Sequence, residues 1–258
     1  MSQIEVERND DVARVWLNRP EVRNAFDGET VTELRGAFDD LAGDDAVRVV
    51  VLGGRGKVFS AGADLEWMKT VASFGPEDNL READAMAGLF DAIATSPKPV
   101  VARVHGAALG GGGGLVAACD IPLAAEGTVF GFTEVRLGLV PAVISPYVIG
   151  RIGESAAREL FLTGERFDAS RAREIGLIRA VVPEGELDTA VTGRVAELLQ
   201  AGPRAIAEAK ALMRAVSGRP AEDVRRDTVE RIARLRGSPE GREGLKAFLG
   251  KRKPNWVG

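Results

Sequence analysis

Residues 100–120 read VVARVHGAALGGGGGLVAACD, and this stretch decides the fold. The apolar run before the glycines has the β-branched character of a buried strand, and Leu115–Asp120 predicts a short buried helix. A flexible linker would be flanked by polar and charged residues, whereas Gly110–Gly114 are flanked by core. We therefore expect these glycines to let the backbone approach a ligand closely. If a helix opens within the run, its free N–H groups suit an oxygen that gains negative charge during a reaction.

A second loop, Lys57–Met68, follows a buried strand predicted at Val47–Leu52. A strand, a turn of small residues and then a helix would place free N–H groups at the carboxyl end of the strand, where α/β folds commonly hold ligands. Asp64 is predicted to cap the helix that follows. Taken alone, this is an ordinary strand-to-helix loop. Paired with the glycine run, it could supply the second N–H group of an oxyanion hole.

Composition excludes several functional classes. The chain has 258 residues, of which 45% are hydrophobic and 28% charged, enough for one large core with a small appendage. A net charge of −4 gives no overall field that would recruit nucleic acid or a membrane. Cys119 and His105 are the only residues of their types, so neither an internal disulfide nor a structural zinc site is expected. The chain shows no targeting segment or membrane-spanning run, which predicts a cytoplasmic protein.

The order of segments predicts an α/β body with both sheet faces covered, followed by helices. Strands are predicted at 4–7, 12–17, 47–52, 100–104, 121–124, 129–132 and 178–182, and helices at 30–41, 65–71, 80–93, 156–162, 170–175, 187–199, 204–216, 221–235 and 240–249. We therefore divide the chain into a core of residues 1–195 and a C-terminal helical region of residues 196–258. The helical region is expected to cover the core or to pack on a sister subunit.

Several motifs, in order, resemble the crotonase, or enoyl-CoA hydratase/isomerase, superfamily. They are LNRPEVRNAF at 17–26, FSAGADL at 59–65, HGAALGGG at 105–112, FGFTEVRLGLVP at 130–141 and GLKAFLGKR at 244–252. The resemblance implies a crotonase-type spiral of ββα units with a C-terminal helical trimerisation region. It implies an acyl-CoA thioester substrate, coenzyme A as part of that substrate with no permanently bound cofactor or metal, and a homotrimer or dimer of trimers. Residues 64–68 and 140–148 look most like the branch of methylglutaconyl-CoA and isohexenylglutaconyl-CoA hydratases.

The same resemblance implies roles for individual residues. The N–H groups of Ala63 and Gly111 would hold the enolate oxygen of the substrate. The substrate and its CoA portion would contact Val22, Arg23, Ala25, Lys57, Ala61, Asp64, Leu65, Gly110 and Gly114, and, from a neighbouring subunit, Phe248 and Lys251. Trp67 and Tyr147 either line the acyl pocket or pack in the core. His105 is interpreted as a loop or core residue.

Glu134 is the candidate acid–base group, because family hydratases carry a glutamate at this motif position. Many family hydratases carry a further glutamate earlier in the chain, and at that position this chain has Gly114. The competing interpretation of Glu134 is a surface glutamate paired with Arg136. We favour water addition by Glu134 alone; the alternatives are double-bond isomerisation by the same carboxylate and a non-catalytic CoA- or RNA-binding protein. For a carboxylated acyl chain, the candidate cations are Arg136, Arg151 and Arg158.

Overall fold

The structure is a computed structural model that describes residues 2–257, so the two outermost positions of the predicted division lie outside it. The strands in this range are β1 Ile4–Asn9, β2 Val12–Leu17, β3 Val49–Gly54, β4 Val100–Val104, β5 Ala107–Leu109, β6 Ile121–Ala125, β7 Val129–Gly131, β8 Arg166–Asp168 and β9 Ala180–Val182. The helices are α1 Gly28–Gly43, α2 Leu65–Val71, α3 Pro76–Thr95, α4 Gly111–Ala118, α5 Ser145–Thr163, α6 Ala169–Glu174, α7 Leu187–Leu199, α8 Pro203–Val216, α9 Ala221–Gly237 and α10 Pro239–Leu249. Short 3-10 helices occupy Pro20–Val22, Glu134–Leu137 and Glu184–Glu186.

A six-stranded sheet in the order β1-β2-β3-β4-β6-β9 forms the body. The β1–β2 pair is antiparallel, and the other neighbours are parallel. Both faces of the central strands are buried, because alternate residues enter two separate cores. Val50 and Leu52 join the larger core, whereas Val49 and Val51 pack in a second core that includes α7. A smaller sheet in the order β5-β7-β8 stands beside this body.

Several predicted boundaries differ from the structure, and two of the differences concern β3 and α5. β3 continues through Gly53 and Gly54 instead of ending at Leu52, because the absence of a side chain at Gly53 lets the Trp16 ring lie directly on the strand. Residues 145–147, which lie before the helix predicted at 156–162, form the beginning of α5, where a proline is tolerated because its missing N–H is not needed. Tyr147 consequently packs near Phe90, with ring centroids 6.1 Å apart.

A buried ion pair connects the C-terminal helices with the body. Lys210 on α8 is 5% exposed, and its Nζ donates to Asp120 Oδ2 at 2.6 Å and to the carbonyl of Lys98 at 2.9 Å. Asp120 Oδ2 also accepts the Val100 N–H at 2.7 Å, so the pair is joined to the first residue of β4. The predicted boundary between residues 195 and 196 falls inside α7, and the two-part division stays a prediction.

We expect Lys210→Met to lower the free energy of unfolding by about 3 kcal/mol, because it leaves the Asp120 carboxylate without its cation. We expect a value at the lower end of the range for breaking buried ion pairs, because the Asp120 side chain is 25% exposed. Urea unfolding measures the change. Arg214→Met is the matched control, because Arg214 lies on the same helix and makes only a 3.3 Å hydrogen bond to Ala94. Equal midpoints for the two variants would contradict the prediction.

Candidate active site

The two loops singled out in the sequence run side by side. Ser60 bridges Ala108 in parallel, with its N–H donating to the Ala107 carbonyl at 3.0 Å and its carbonyl accepting the Leu109 N–H at 3.1 Å. Ala63 follows Ser60 by three residues, and Gly111 follows Ala108 by three residues. Gly62 has φ +93°, and a Cβ there would lie 2.8 Å from the Leu109 carbonyl oxygen. Only glycine therefore permits this close approach.

The Ala63 N–H points away from the strand segment that pairs with this loop. On either side of Ala63, the Gly62 carbonyl accepts the Phe26 N–H at 2.9 Å and the Asp64 N–H donates to the Phe26 carbonyl at 3.0 Å. The Gly62 carbonyl and the Ala63 N–H belong to one trans peptide unit and point in opposite directions. The Ala63 N–H therefore points away from Phe26. Within residues 2–257 it donates to no protein acceptor.

Gly111 begins α4, so the helix predicted at Leu115–Asp120 opens earlier, within the glycine run, and it ends at Ala118. Its N–H belongs to the first helical turn, whose N–H groups have no acceptor within the helix. Gly110, which precedes it, adopts φ 51° and ψ −123°, a conformation essentially restricted to glycine. The Gly110 N–H donates to the Gly131 carbonyl at 2.8 Å, which ties the start of α4 to β7.

Glu134 lies against the same glycine run. A Cβ built on Gly110 would be 3.3 Å from Glu134 Oε1, so the absence of a side chain at Gly110 makes room for the carboxylate. Glu134 Oε2 is buried and has no hydrogen-bond partner among residues 2–257. The alternative of an ion pair with Arg136 is wrong for the described residues, in which Arg136 forms no salt bridge. Burial raises the pKa of the Glu134 carboxyl above its ordinary value of 4.5.

We expect activity that needs the ionised Glu134 to fall on the acid side at a higher pH than for an exposed glutamate. The raised pKa means that the carboxylate takes up a proton before the pH reaches 4.5 on the way down. A profile of kcat/KM against pH reports this ionisation in the free protein. An acid limb centred at or below the ordinary glutamate value would contradict the expectation.

A cleft of about 820 Å³ approaches the two loops from outside. Its lining includes Arg23, Lys57 and Ala61, which the sequence predicted to contact CoA, together with Leu109 of the glycine-run segment. Arg166 also lines the cleft, although none of the sequence motifs includes it. No local signal marks Arg166, because only the pairing of β8 with β7 brings it to the cleft.

The other predicted contact residues have varied surroundings, and their roles stay predictions. The Asp64 carboxylate caps α2 and forms an ion pair with Arg19 at 3.2 Å, so its oxygens already have partners. A Cβ on Gly114 would collide with Ile144 and approach Phe90, which leaves no space for a side chain at that position. The remaining predicted residues comprise buried Ala25, half-buried Trp67, and exposed Val22, Leu65, Phe248 and Lys251.

Three residues considered in the sequence form hydrogen bonds or ion pairs with other parts of the protein. His105 is buried, with Nε2 2.9 Å from the Gly56 carbonyl, as expected of a core or loop residue. Arg151 donates to the carbonyls of Ala117 and Asp120, at the opposite end of α4 from Gly111. Arg158 pairs with a glutamate one turn away on an exposed face of α5. These contacts give Arg151 and Arg158 partners other than an acyl carboxylate.

The described residues contain neither a cluster of metal ligands nor a helix that could span a membrane. Between residues 2 and 257, no group of three or more His, Cys, Asp and Glu side chains is placed to hold a metal ion. In the same range, none of the helices combines the length and apolar character needed to cross a bilayer.

Cys119 is free and buried, and burial raises the pKa of its thiol to about 12, so it is not activated as a nucleophile.

Backbone N–H donors beside an unpaired carboxylate are typical of enzymes that stabilise an oxyanion. The family model described as enoyl-CoA hydratase/isomerase matches residues 7–258. A provisionally named enoyl-CoA hydratase of Thermus thermophilus is 39% identical over 253 residues, which cover 98% of this chain and 100% of the relative. The chain therefore belongs to the enoyl-CoA hydratase/isomerase family.

Solved structures agree with this assignment. An enoyl-CoA hydratase from Shewanella pealeana is 40% identical with a TM-score of 0.96, and the match covers 98% of this chain and 96% of that one. An enoyl-CoA hydratase/isomerase from Marinobacter aquaeolei is 33% identical with a TM-score of 0.94, and the match covers 100% of both chains. These similarities confirm the α/β crotonase fold predicted from the sequence.

Proposed function

We propose that this protein is an enoyl-CoA hydratase that adds water to an α,β-unsaturated acyl-CoA. One observation carries the proposal: the unpaired Glu134 carboxylate lies against the glycine run that also presents the Gly111 N–H. An acid–base group and oxyanion donors are the two elements that this reaction needs.

In the proposed mechanism, the thioester oxygen accepts hydrogen bonds from the N–H groups of Ala63 and Gly111. Glu134 removes a proton from water while the water oxygen bonds to the β-carbon. The electron pair of the double bond moves toward the α-carbon and onto the thioester oxygen, giving an enolate. The protonated Glu134 then returns the proton to the α-carbon, so the product is a 3-hydroxyacyl-CoA and the carboxylate is regenerated.

Isomerisation of a 3-enoyl-CoA to a 2-enoyl-CoA is the second candidate, favoured by the absence of another carboxylate at Gly114. Ile144 closes the space beside Gly114, so Glu134 would act alone. In this reaction Glu134 would take a proton from the α-carbon and return it to the γ-carbon. Incubation with a 2-enoyl-CoA, followed by the loss of conjugated thioester absorbance, tests the hydratase proposal. Reaction of the 3-enoyl-CoA alone, with a gain in that absorbance, would establish the isomerase instead.

The finer substrate proposal is a methylglutaconyl-CoA-type molecule, which rests on the resemblance of residues 64–68 and 140–148. A panel of short, branched and carboxylated enoyl-CoA thioesters tests it. Preference for the carboxylated member by at least tenfold in kcat/KM would support the assignment. An equal or greater preference for an uncharged chain would reject it.

We also propose a homotrimer or dimer of trimers assembled through the C-terminal helices. The support is a set of exposed apolar side chains in this region: Met213, Val229, Ile232, Leu245, Phe248 and Leu249. Exposed apolar surface of this kind commonly marks a protein interface. Light scattering after size-exclusion chromatography measures the assembly, and a monomeric mass would reject it.

A binding protein without turnover is the remaining alternative, with RNA association supported only by the basic run at residues 251–253. Arg252 in that run already forms an ion pair with Glu243, which leaves less free positive charge for RNA. A salt-dependent RNA shift that persists in Glu134→Gln, together with no turnover by the unmodified protein, would favour this alternative.

A further inference from the structure

Three cations from separate parts of the chain share the cleft without neutralising partners. Arg23, Lys57 and Arg166 all line it. None of the three side chains forms a hydrogen bond or ion pair with another residue among those that the structure describes. Glu21 is the one acidic residue of the lining, so these four charged side chains give the lining a net charge of +2. A concave surface with uncompensated positive charge attracts an anionic ligand.

Arg166 is held at this cleft by a short but well-anchored strand. β8 pairs antiparallel with β7, with Arg166 opposite Gly131. The Arg166 stem lies over that glycine, because a Cβ on Gly131 would be 3.3 Å from Arg166 Cγ. The next residue, Phe167, is buried and stacks on Phe130 with ring centroids 5.9 Å apart. The guanidinium therefore extends from a fixed backbone position.

The pairing of Arg166 connects the cleft with the candidate active site. Its pairing partner Gly131 accepts the Gly110 N–H at 2.8 Å, next to the start of α4. Arg23 and Lys57 reach the cleft from the N-terminal half, whereas Arg166 reaches it from the smaller sheet. An anion that enters this cleft thus meets cations from two different structural units.

We infer that Arg166 binds a phosphate group of the CoA portion of the substrate. The inference rests on the proposed function, which supplies a thioester whose non-reacting end carries phosphates. A guanidinium presents two parallel N–H donors to phosphate oxygens, and it remains charged at any working pH. A carboxylate on the acyl chain offers similar anionic oxygens, so the experiment separates these two sources.

The test compares Arg166→Gln with the unmodified protein on three thioesters of one enoyl group: CoA, 3′-dephospho-CoA and pantetheine. On the CoA thioester we expect KM to rise about tenfold with kcat nearly unchanged, because a charge-assisted contact made in both ground and transition states is lost. The increase should disappear on the pantetheine thioester, which lacks all the phosphates. Disappearance already on the dephospho-CoA thioester would assign the contact to the 3′-phosphate.

Arg171→Gln is the matched control, because it removes the same charge from a nearby arginine that is already paired with Glu159 and Glu174. Arg166→Lys should recover part of the loss, since it restores the charge without the planar pair of donors. The inference is wrong if Arg166→Gln leaves KM for the CoA thioester unchanged. It is also wrong if the increase persists on pantetheine thioesters or occurs only with a carboxylated acyl chain.

Calorimetric titration with CoA itself separates this inference from the proposed function. If the unmodified protein binds CoA and Arg166→Gln binds it about tenfold more weakly, the inference stands even when no enoyl-CoA is turned over. If turnover is normal and both proteins bind CoA equally, the proposed function stands and the inference fails.

Discussion

Replacing Glu134 with Gln should lower kcat for hydration by about 10²- to 10⁴-fold, the usual contribution of a positioned acid–base group. The amide keeps the size of the side chain but cannot take a proton from water. KM should change little, because the carboxylate acts on the reacting atoms. Steady-state turnover of a 2-enoyl-CoA measures the effect. Glu126→Gln makes the same chemical change at an exposed position and serves as the control.

The stability of Glu134→Gln shows whether its loss of activity arises from chemistry or from unfolding. Burial raises the folded-state pKa of Glu134, so ionisation costs folding stability as the pH rises from the unfolded value through the folded one. The amide does not ionise. Thermal melts should therefore show that the stability of Glu134→Gln, relative to that of the unmodified protein, rises between acidic and neutral pH. A variant that is both inactive and less stable at neutral pH would not support a chemical role.

Replacing Ala63 with Pro should lower kcat by about 10²- to 10³-fold, which corresponds to about 2.7–4 kcal/mol of transition-state stabilisation. Proline removes the N–H proposed to bind the enolate oxygen. The neighbouring hydrogen bonds to Phe26 use the Gly62 carbonyl and the Asp64 N–H, so this change removes neither. Turnover of a 2-enoyl-CoA, with circular dichroism to verify folding, measures the effect.

Ala63→Gly is the companion variant, because it removes the methyl group and keeps the N–H donor. It should lose much less activity than Ala63→Pro. If the two variants lose activity equally while both remain folded, the N–H is not the group that matters. A proline variant with unchanged kcat would remove Ala63 from the proposed mechanism.

Local sequence was sufficient wherever neighbouring residues determine the conformation. The sequence predicted a short buried helix at Leu115–Asp120, after the glycine run, and α4 begins earlier, at Gly111, because Gly110 adopts backbone angles essentially restricted to glycine. Asp64 was predicted to cap α2, and its carboxylate accepts the N–H groups of Glu66 and Trp67. The buried strands were also predictable, because near-continuous apolar runs are typical of a sheet covered on both faces.

Only the tertiary structure decided which distant side chains meet. Arg136 lies two residues from Glu134 in sequence, yet it leaves that carboxylate unpaired. Ile144 fills the space beside Gly114, and β8 brings Arg166 to the cleft. Backbone conformation depends on a few adjacent residues, whereas a side chain's partner depends on segments that the sheets bring together from far along the chain. The sequence by itself therefore determined the family, the residue that caps α2 and the candidate acid–base residue, and the tertiary structure determined their surroundings.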